Sequence, residues 1–199
     1  MPTNNKVKYG LKNCVWFPVT ETFDATTGKT TTTYGTAHSL PGAVSIAQDP
    51  QGDRTVFRAD DSDYYVVSAN GGYQGALVIA DMPDDLREYA FNERRDDNGV
   101  MVEDETAGAT VKYFAFAFQF AADVKAIRHL LYKCSITKAS ITSETTPEGN
   151  TPNVQTDSLT LTSVPRPDDG LVHSKADPLT DSTVYDDWFS EVYEPEFTP

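Results

Sequence analysis

Residues 114–121 read FAFAFQFA, with Phe114, Phe116, Phe118 and Phe120 at every second position and Ala115, Ala117, Gln119 and Ala121 between them. A period of two belongs to extended backbone, where successive side chains leave opposite faces of the pleat. A helix would scatter the four rings around its circumference. Burial of each ring is worth about 1.5–3 kcal/mol, so this stretch is expected to be the core strand, with its rings on one face. The fold is therefore expected to be mainly β.

Downstream, residues 122–125 read as a turn into Ile127–Thr142, where Leu130, Tyr132, Cys134 and Ile136 alternate again and complete a long hairpin. A Pro-, Gly- and Asn-containing loop is expected at 145–153. Gln155–Val164 then returns as a strand with Leu159 and Leu161 on one face, closed by Pro165 and Pro167.

Upstream, Val7–Val19 mixes β-branched and aromatic residues and reads as the first strand, with Pro18 near its end. Residues 20–36 are rich in threonine around Asp24-Ala-Thr-Thr-Gly28 and read as a hairpin or exposed arm. Ala43–Gln48 resumes a strand pattern. Residues 49–72 are polar and acidic yet carry Phe57, Tyr64, Tyr65, Val66 and Val67, which predicts a long hairpin projecting from the body. Tyr73–Ala80 follows as another strand. Asp81-Met-Pro83-Asp-Asp85 carries helix-start chemistry, with Asp81 as the capping residue, and Leu86, Tyr89 and Ala90 continue at helical spacing. One flanking helix is expected over about 83–93, ending before a reversal at Asn98-Gly99.

The 199 residues are read as one domain spanning 1–199. Sixteen Lys and Arg against 30 Asp and Glu leave a net charge of -14, so most of the surface repels phosphate and tight DNA binding through phosphate neutralisation is not expected. The start MPTNNKVKYGLKN shows no basic-then-apolar leader, and the apolar run Tyr113–Ala122 is too short for a membrane helix. A soluble protein made in a cytoplasm is the resulting expectation, with no membrane partner. Cys14 and Cys134 are expected to be reduced, buried strand residues.

Catalytic chemistry finds little purchase. The fragment TTGKTTTT resembles a phosphate loop, but Phe23 stands where that loop needs its first glycine. Asp60, Asp61 and Asp63 could hold a hard cation, yet no glycine and distal glutamate follow at the required spacing, and a solvated hairpin tip is the preferred reading. His38, His129 and His173 fall in no metal-ligand spacing, and no nucleophile elbow is present. Neither a catalytic site nor a cofactor or metal is expected. Tyr185, Trp188, Phe189 and Tyr193 form an aromatic cluster near the C-terminus, at mostly helical spacing. Either they cap the protein's own core or they belong to an arm, spanning about 168–199, that docks on a neighbouring subunit; the proline pair before them favours the arm.

Several ordered stretches resemble the major tail protein (tail tube protein) family of phages with long, flexible, non-contractile tails. They are KVKYGLKN (6–13), Tyr34–Gly42 with its Leu-Pro-Gly, Asp60–Gly75 ending ANGGYQG, DDNGVMV (96–102), VKAIRHLLY (124–132) running on to Cys134, Leu159–Pro167 ending Pro-Arg-Pro, and VYDDWFSEVYEPE (184–196). Residues 26–33, threonine-rich and longer than the family's usual stretch, depart from it. The resemblance implies a β-sandwich of the tail tube type with one flanking helix, projecting hairpins and a C-terminal arm. It also implies six-membered rings that stack into a tube, located in the virion, through whose channel genomic DNA passes without specific binding. The implied partners are further copies of the chain and the tape measure, tail terminator and distal tail proteins. On that reading Asp60, Asp61, Asp63, Tyr64, Tyr65, Tyr185, Trp188, Phe189 and Tyr193 are candidate subunit-interface residues. The competing reading is a soluble β-sandwich recognition module that binds carbohydrate or protein through Tyr64, Tyr65, Tyr73 and the loops.

Overall fold

The computed structural model describes residues 5–106, 109–145 and 154–197. Its backbone is a long antiparallel sheet that curls until its two halves face each other, a β-sandwich with a helix at its flank. The strands are β1 (Lys8–Asp24), β2 (Lys29–Tyr34), β3 (His38–Ser39), β4 (Ala43–Gln51), β5 (Arg54–Ala59), β6 (Ser62–Ser68) and β7 (Gly72–Ile79), then helix α1 (Asp84–Phe91). After the helix come β8 (Arg94–Arg95), β9 (Met101–Val102), β10 (Phe114–Ala122), β11 (Ile127–Ile136), β12 (Asp157–Ser163), β13 (His173–Ala176) and helix α2 (Ser182–Asp187). The main sheet runs β2-β1-β10-β11-β12-β7-β4, with β3 added to β1 and β13 added to β11; β5-β6 and β8-β9 are separate ribbons. The loop expected at 145–153 lies, from residue 146 on, outside the described residues.

Strand β10 is the centre of this arrangement. Phe114, Phe116 and Phe118 point into the main core, where they meet Trp16 of β1, Leu77 and Ile79 of β7, Leu159 and Leu161 of β12, and Leu86, Ala90 and Phe91 of α1. Phe120, at the open end, is only half-buried. The intervening Ala115 and Ala117 are equally sealed, in a second core beneath the C-terminal segment. Small residues on that face let the covering segment approach closely.

The alternation expected along residues 130–136 is interrupted. Phe116 pairs with Leu131 but Phe114 pairs with Cys134, so β11 carries an extra residue opposite Ala115. A β-bulge of this kind inverts the phase of the side chains beyond it. Leu130 and Tyr132 consequently face the second core, while Cys134 and Ile136 return to the first. Both cysteines are free and buried.

Strand β1 does not stop at Pro18. It pairs with β10 up to that residue and then runs on alone with β2, forming the threonine-rich hairpin. Helix α1 begins with Pro83 at its cap and Asp84 and Asp85 in its first turn, where carboxylates meet the positive end of the helix dipole. Pro83, without a side-chain capping bond, occupies the position, rather than the expected Asp81. The helix ends at Phe91, two residues short of the expected boundary, and is capped by Asn92 in a left-handed conformation (φ 57°). Tyr89 ties it to the sheet: its hydroxyl accepts from the Val19 amide at 3.1 Å and donates to the Tyr113 carbonyl at 2.5 Å. Trp16 packs beside Tyr89 and stacks on His38, whose imidazole lies 3.2 Å from Asp85. In the facing half, Gly75 of β7 sits so close to β4 that any Cβ would overlap the Ala47 carbonyl.

Phe116→Ala should cost about 3–5 kcal/mol of stability, the range for removing a fully buried ring. A chemical denaturation midpoint close to wild type would show that β10 does not anchor the core.

Candidate assembly surface

Two surface elements and one cavity are the candidates for contact with other molecules. The first element is the ribbon β5-β6. Every residue of β6 is exposed, and Phe57, Tyr64 and Tyr65 are 60–70% accessible. Asp60 and Asp61 both adopt positive φ (52° and 56°), the geometry of a tight two-residue hairpin turn. Beyond the turn Arg58 pairs with Asp63 but Phe57 pairs with Tyr65, leaving Tyr64 as the extra residue of a bulge. Bulges re-aim side chains, and this one presents Tyr64 outward, 70% exposed, edge-on to Phe57. Asp63 turns back to Arg58 at 3.4 Å, and among the described residues no group of three potential ligands could hold a metal ion. A two-stranded ribbon with this little burial is marginal by itself. Its strand formers gain stability only against something else.

The second element is the C-terminal segment, which the sequence reads as an arm. It lies folded against its own subunit. Asp181 caps the two-turn α2 by accepting from the Thr183 amide at 2.8 Å. Tyr185 and Trp188 are buried in the second core with Phe17, Leu130 and Tyr132. Lys125 and Arg128 lie over the Tyr185 ring at 3.6 and 3.7 Å, and the Tyr185 hydroxyl donates to the Ala126 carbonyl at 2.9 Å. Phe189 and Tyr193 remain half-exposed. Burial of Tyr185 and Trp188 leaves those two little surface to offer another subunit while the segment stays in place.

What holds it there is Arg166, the central residue of the Pro-Arg-Pro. Its guanidinium, only 6% exposed, donates to both oxygens of Glu194, to both oxygens of Asp169 and to the Tyr34 hydroxyl at 3.0 Å. Asp168 completes the cluster at 3.1 Å and also accepts from the Thr32 amide. One cation thus fastens the threonine-rich hairpin, the turn after β12 and the C-terminus together. Hydrogen bonds from Arg166 hold the Asp169 carboxyl below the ordinary carboxylate range, while burial raises the Tyr34 and Tyr132 hydroxyls, the latter to about 12. The proline pair, expected to release the chain, instead presents this arginine.

The cavity, of about 320 Å³, opens at the end of the sandwich where β4 curls back towards β1 without joining its ladder. Phe118, Phe120 and Tyr73 supply aromatic walls, and Lys8 and Gln48 stand among its lining. His129 and His173 stack at its side, Nδ1 to Nε2 at 2.9 Å. Burial, helped by the charges of His173, Lys8 and Lys175, lowers His129 to about 3; burial also lowers His173. The pair is therefore neutral near pH 7. The separation of 44 positions hides this contact from any spacing rule, as the polar stretch after Asp168 hides β13, which carries His173. The Pro-Arg-Pro stands out in the sequence, but nothing in it announces the carboxylates that Arg166 gathers.

No protein-family model matches this chain, and no curated protein is significantly similar to it. Among the described residues no helix is long and apolar enough to cross a membrane.

Two measurements test these contacts. Arg166→Met should destabilise the subunit by about 1.5–3 kcal/mol, the range for hydrogen bonds to charged groups, and should open the C-terminal segment to protease; an unchanged digestion pattern would assign the anchoring elsewhere. The unfolded chain takes up the histidine protons near pH 6.5, whereas folded His129 resists until about 3. Stability should thus fall with acidification from pH 6.5 downward, by up to about 1.4 kcal/mol per pH unit for each histidine kept neutral. His129→Phe should flatten that slope between pH 6.5 and 5, and an equal slope in both proteins would contradict the assignment.

Proposed function

We propose that the chain is the structural subunit of a flexible, non-contractile phage tail tube, assembling as stacked hexameric rings around a channel that conducts genomic DNA. The observation that carries this reading is the β5-β6 ribbon, a sheet of its own whose Phe57, Tyr64 and Tyr65 are 60–70% exposed. A patch of that kind on a soluble protein marks an interaction surface. The ordered resemblance of residues 6–13, 96–102, 124–134 and 184–196 to tail proteins supplies the kind of interaction.

Physical requirements of a tube agree with the rest of the molecule. Ring closure needs a repeated head-to-tail contact, and the outer edges of β2 and β4, which pair with no further strand among the described residues, offer backbone groups for it. Stacking needs a second contact, for which the β5-β6 ribbon is the candidate. A channel wall must not retain phosphate, and a chain with net charge -14 has few cations to spare for holding DNA. The alternative, a recognition module for carbohydrate or protein, draws on Tyr73 in the cavity wall. Tyr64 and Tyr65, however, sit near the tip of a ribbon whose root adjoins Tyr73, so the three do not form one platform.

Electron microscopy of the concentrated protein should reveal hollow tubes. Deleting residues 60–65 should leave a folded monomer with near-native circular dichroism that no longer polymerises. Discrete monomers of the intact chain at every concentration, together with glycan binding, would favour the recognition module.

A further inference from the structure

Resting on the tube reading, we infer that the cavity beside β1 and β4 receives the tip of the β5-β6 ribbon from another copy of the chain, with Tyr64 as the inserted side chain. Within the subunit, among the described residues, Tyr64 meets only the edge of Phe57, and no side chain fills the cavity. Tyr64 is pushed off its ladder by the bulge and is 70% exposed. The cavity has a volume of about 320 Å³, enough for one aromatic side chain, and its walls are the rings of Tyr73, Phe120, His129 and His173. Aromatic rings in such surroundings gain from edge and offset contacts beyond the area they bury. The Gln48 side-chain oxygen, buried and without a hydrogen-bond partner, offers an acceptor to an incoming hydroxyl.

Charge decides the direction of the contact. Residues 49–72 contain five Asp against two Arg, and three of those carboxylates, Asp60, Asp61 and Asp63, flank Tyr64 at the tip. In a chain of net charge -14 this ribbon needs a receptor that does not repel it. The cavity is that place: among the described residues no carboxylate lines it, Lys8 stands at its rim over Phe120, and Lys175, paired with Asp177 at 3.4 Å, is close enough to act on His129. Lys6, Lys8 and Lys12 all fall before the first acidic residue, Glu21. Opposite potentials on two distinct patches of one surface produce a heterologous contact, which propagates instead of closing on itself as a pair.

Mixing two singly substituted proteins tests the contact. Ser62→Cys at the tip and Gln48→Cys in the cavity, combined with a short bismaleimide, should give a covalent heterodimer when the proteins assemble. Burial pushes both native thiols up to about 12, so Cys14 and Cys134 do not compete. Lys8→Cys, at the exposed rim, replaces Gln48→Cys if the latter fails a folding check by circular dichroism. Independently, Lys8→Glu should raise the concentration needed for assembly by about tenfold, and adding Asp61→Lys to the same chain should restore it. Tubes that form without the heterodimer, or that ignore Lys8→Glu, overturn this docking and leave the tube reading intact. Failure of every protein to assemble at any concentration, with no heterodimer, overturns both.

Discussion

The structure depends on a strand that must be dry on both faces. β10 places phenylalanine rings in one core and alanines in another, and no open sheet edge or single helix could cover both. The first face is sealed by the curl of the sheet and by α1. The second is sealed by the chain's own residues 171–193. Secondary structure elsewhere follows from this demand: β1 and β11 flank β10 and share its two-sided burial, so they too alternate between cores, and β11 changes phase midway to do so.

Sealing the second face with a polar, acidic segment is electrostatically awkward, and Arg166 resolves it. Glu194, Asp169 and Asp168 would repel one another if brought together alone. A guanidinium offers planar, paired donors that a lysine ammonium cannot match, so one side chain holds two carboxylates in forked geometry and still reaches Tyr34. Lys125 and Arg128 play a similar part over Tyr185. A protein poor in cations thus uses several of them to fasten its C-terminal segment.

Most of the strand positions along the chain were legible because local pattern and burial agree, whereas their order in the sheet was not. FAFAFQFA, the threonine-rich hairpin and the exposed ribbon each announce their backbone through composition, and α1 through its first-turn acids. Legibility failed where long-range contacts override local pattern. The bulge opposite Ala115 has no marker in Tyr132-Lys133, which reads as unbroken alternation. His173–Ala176 is too short and polar to declare itself a strand until β11 is present to pair with it. Pro165 and Pro167 suggested detachment, since prolines close strands; the arginine between them, pairing with residues up to 132 positions away, reverses that outcome. The candidate interface residues divide accordingly, Asp60 to Tyr65 on an exposed ribbon and Tyr185 and Trp188 inside.

An uncovered ribbon of strand-forming residues carries a hazard besides its use. Straight, flat edges rich in Tyr, Phe and Val template fibrils of their own, and a cell making many copies at once would be exposed to that fate. The displaced Tyr64 interrupts the ladder, and the three aspartates around it repel any identical ribbon laid alongside. Such a ribbon is poorly suited to copying itself, so the irregularity at Tyr64 works against amyloid.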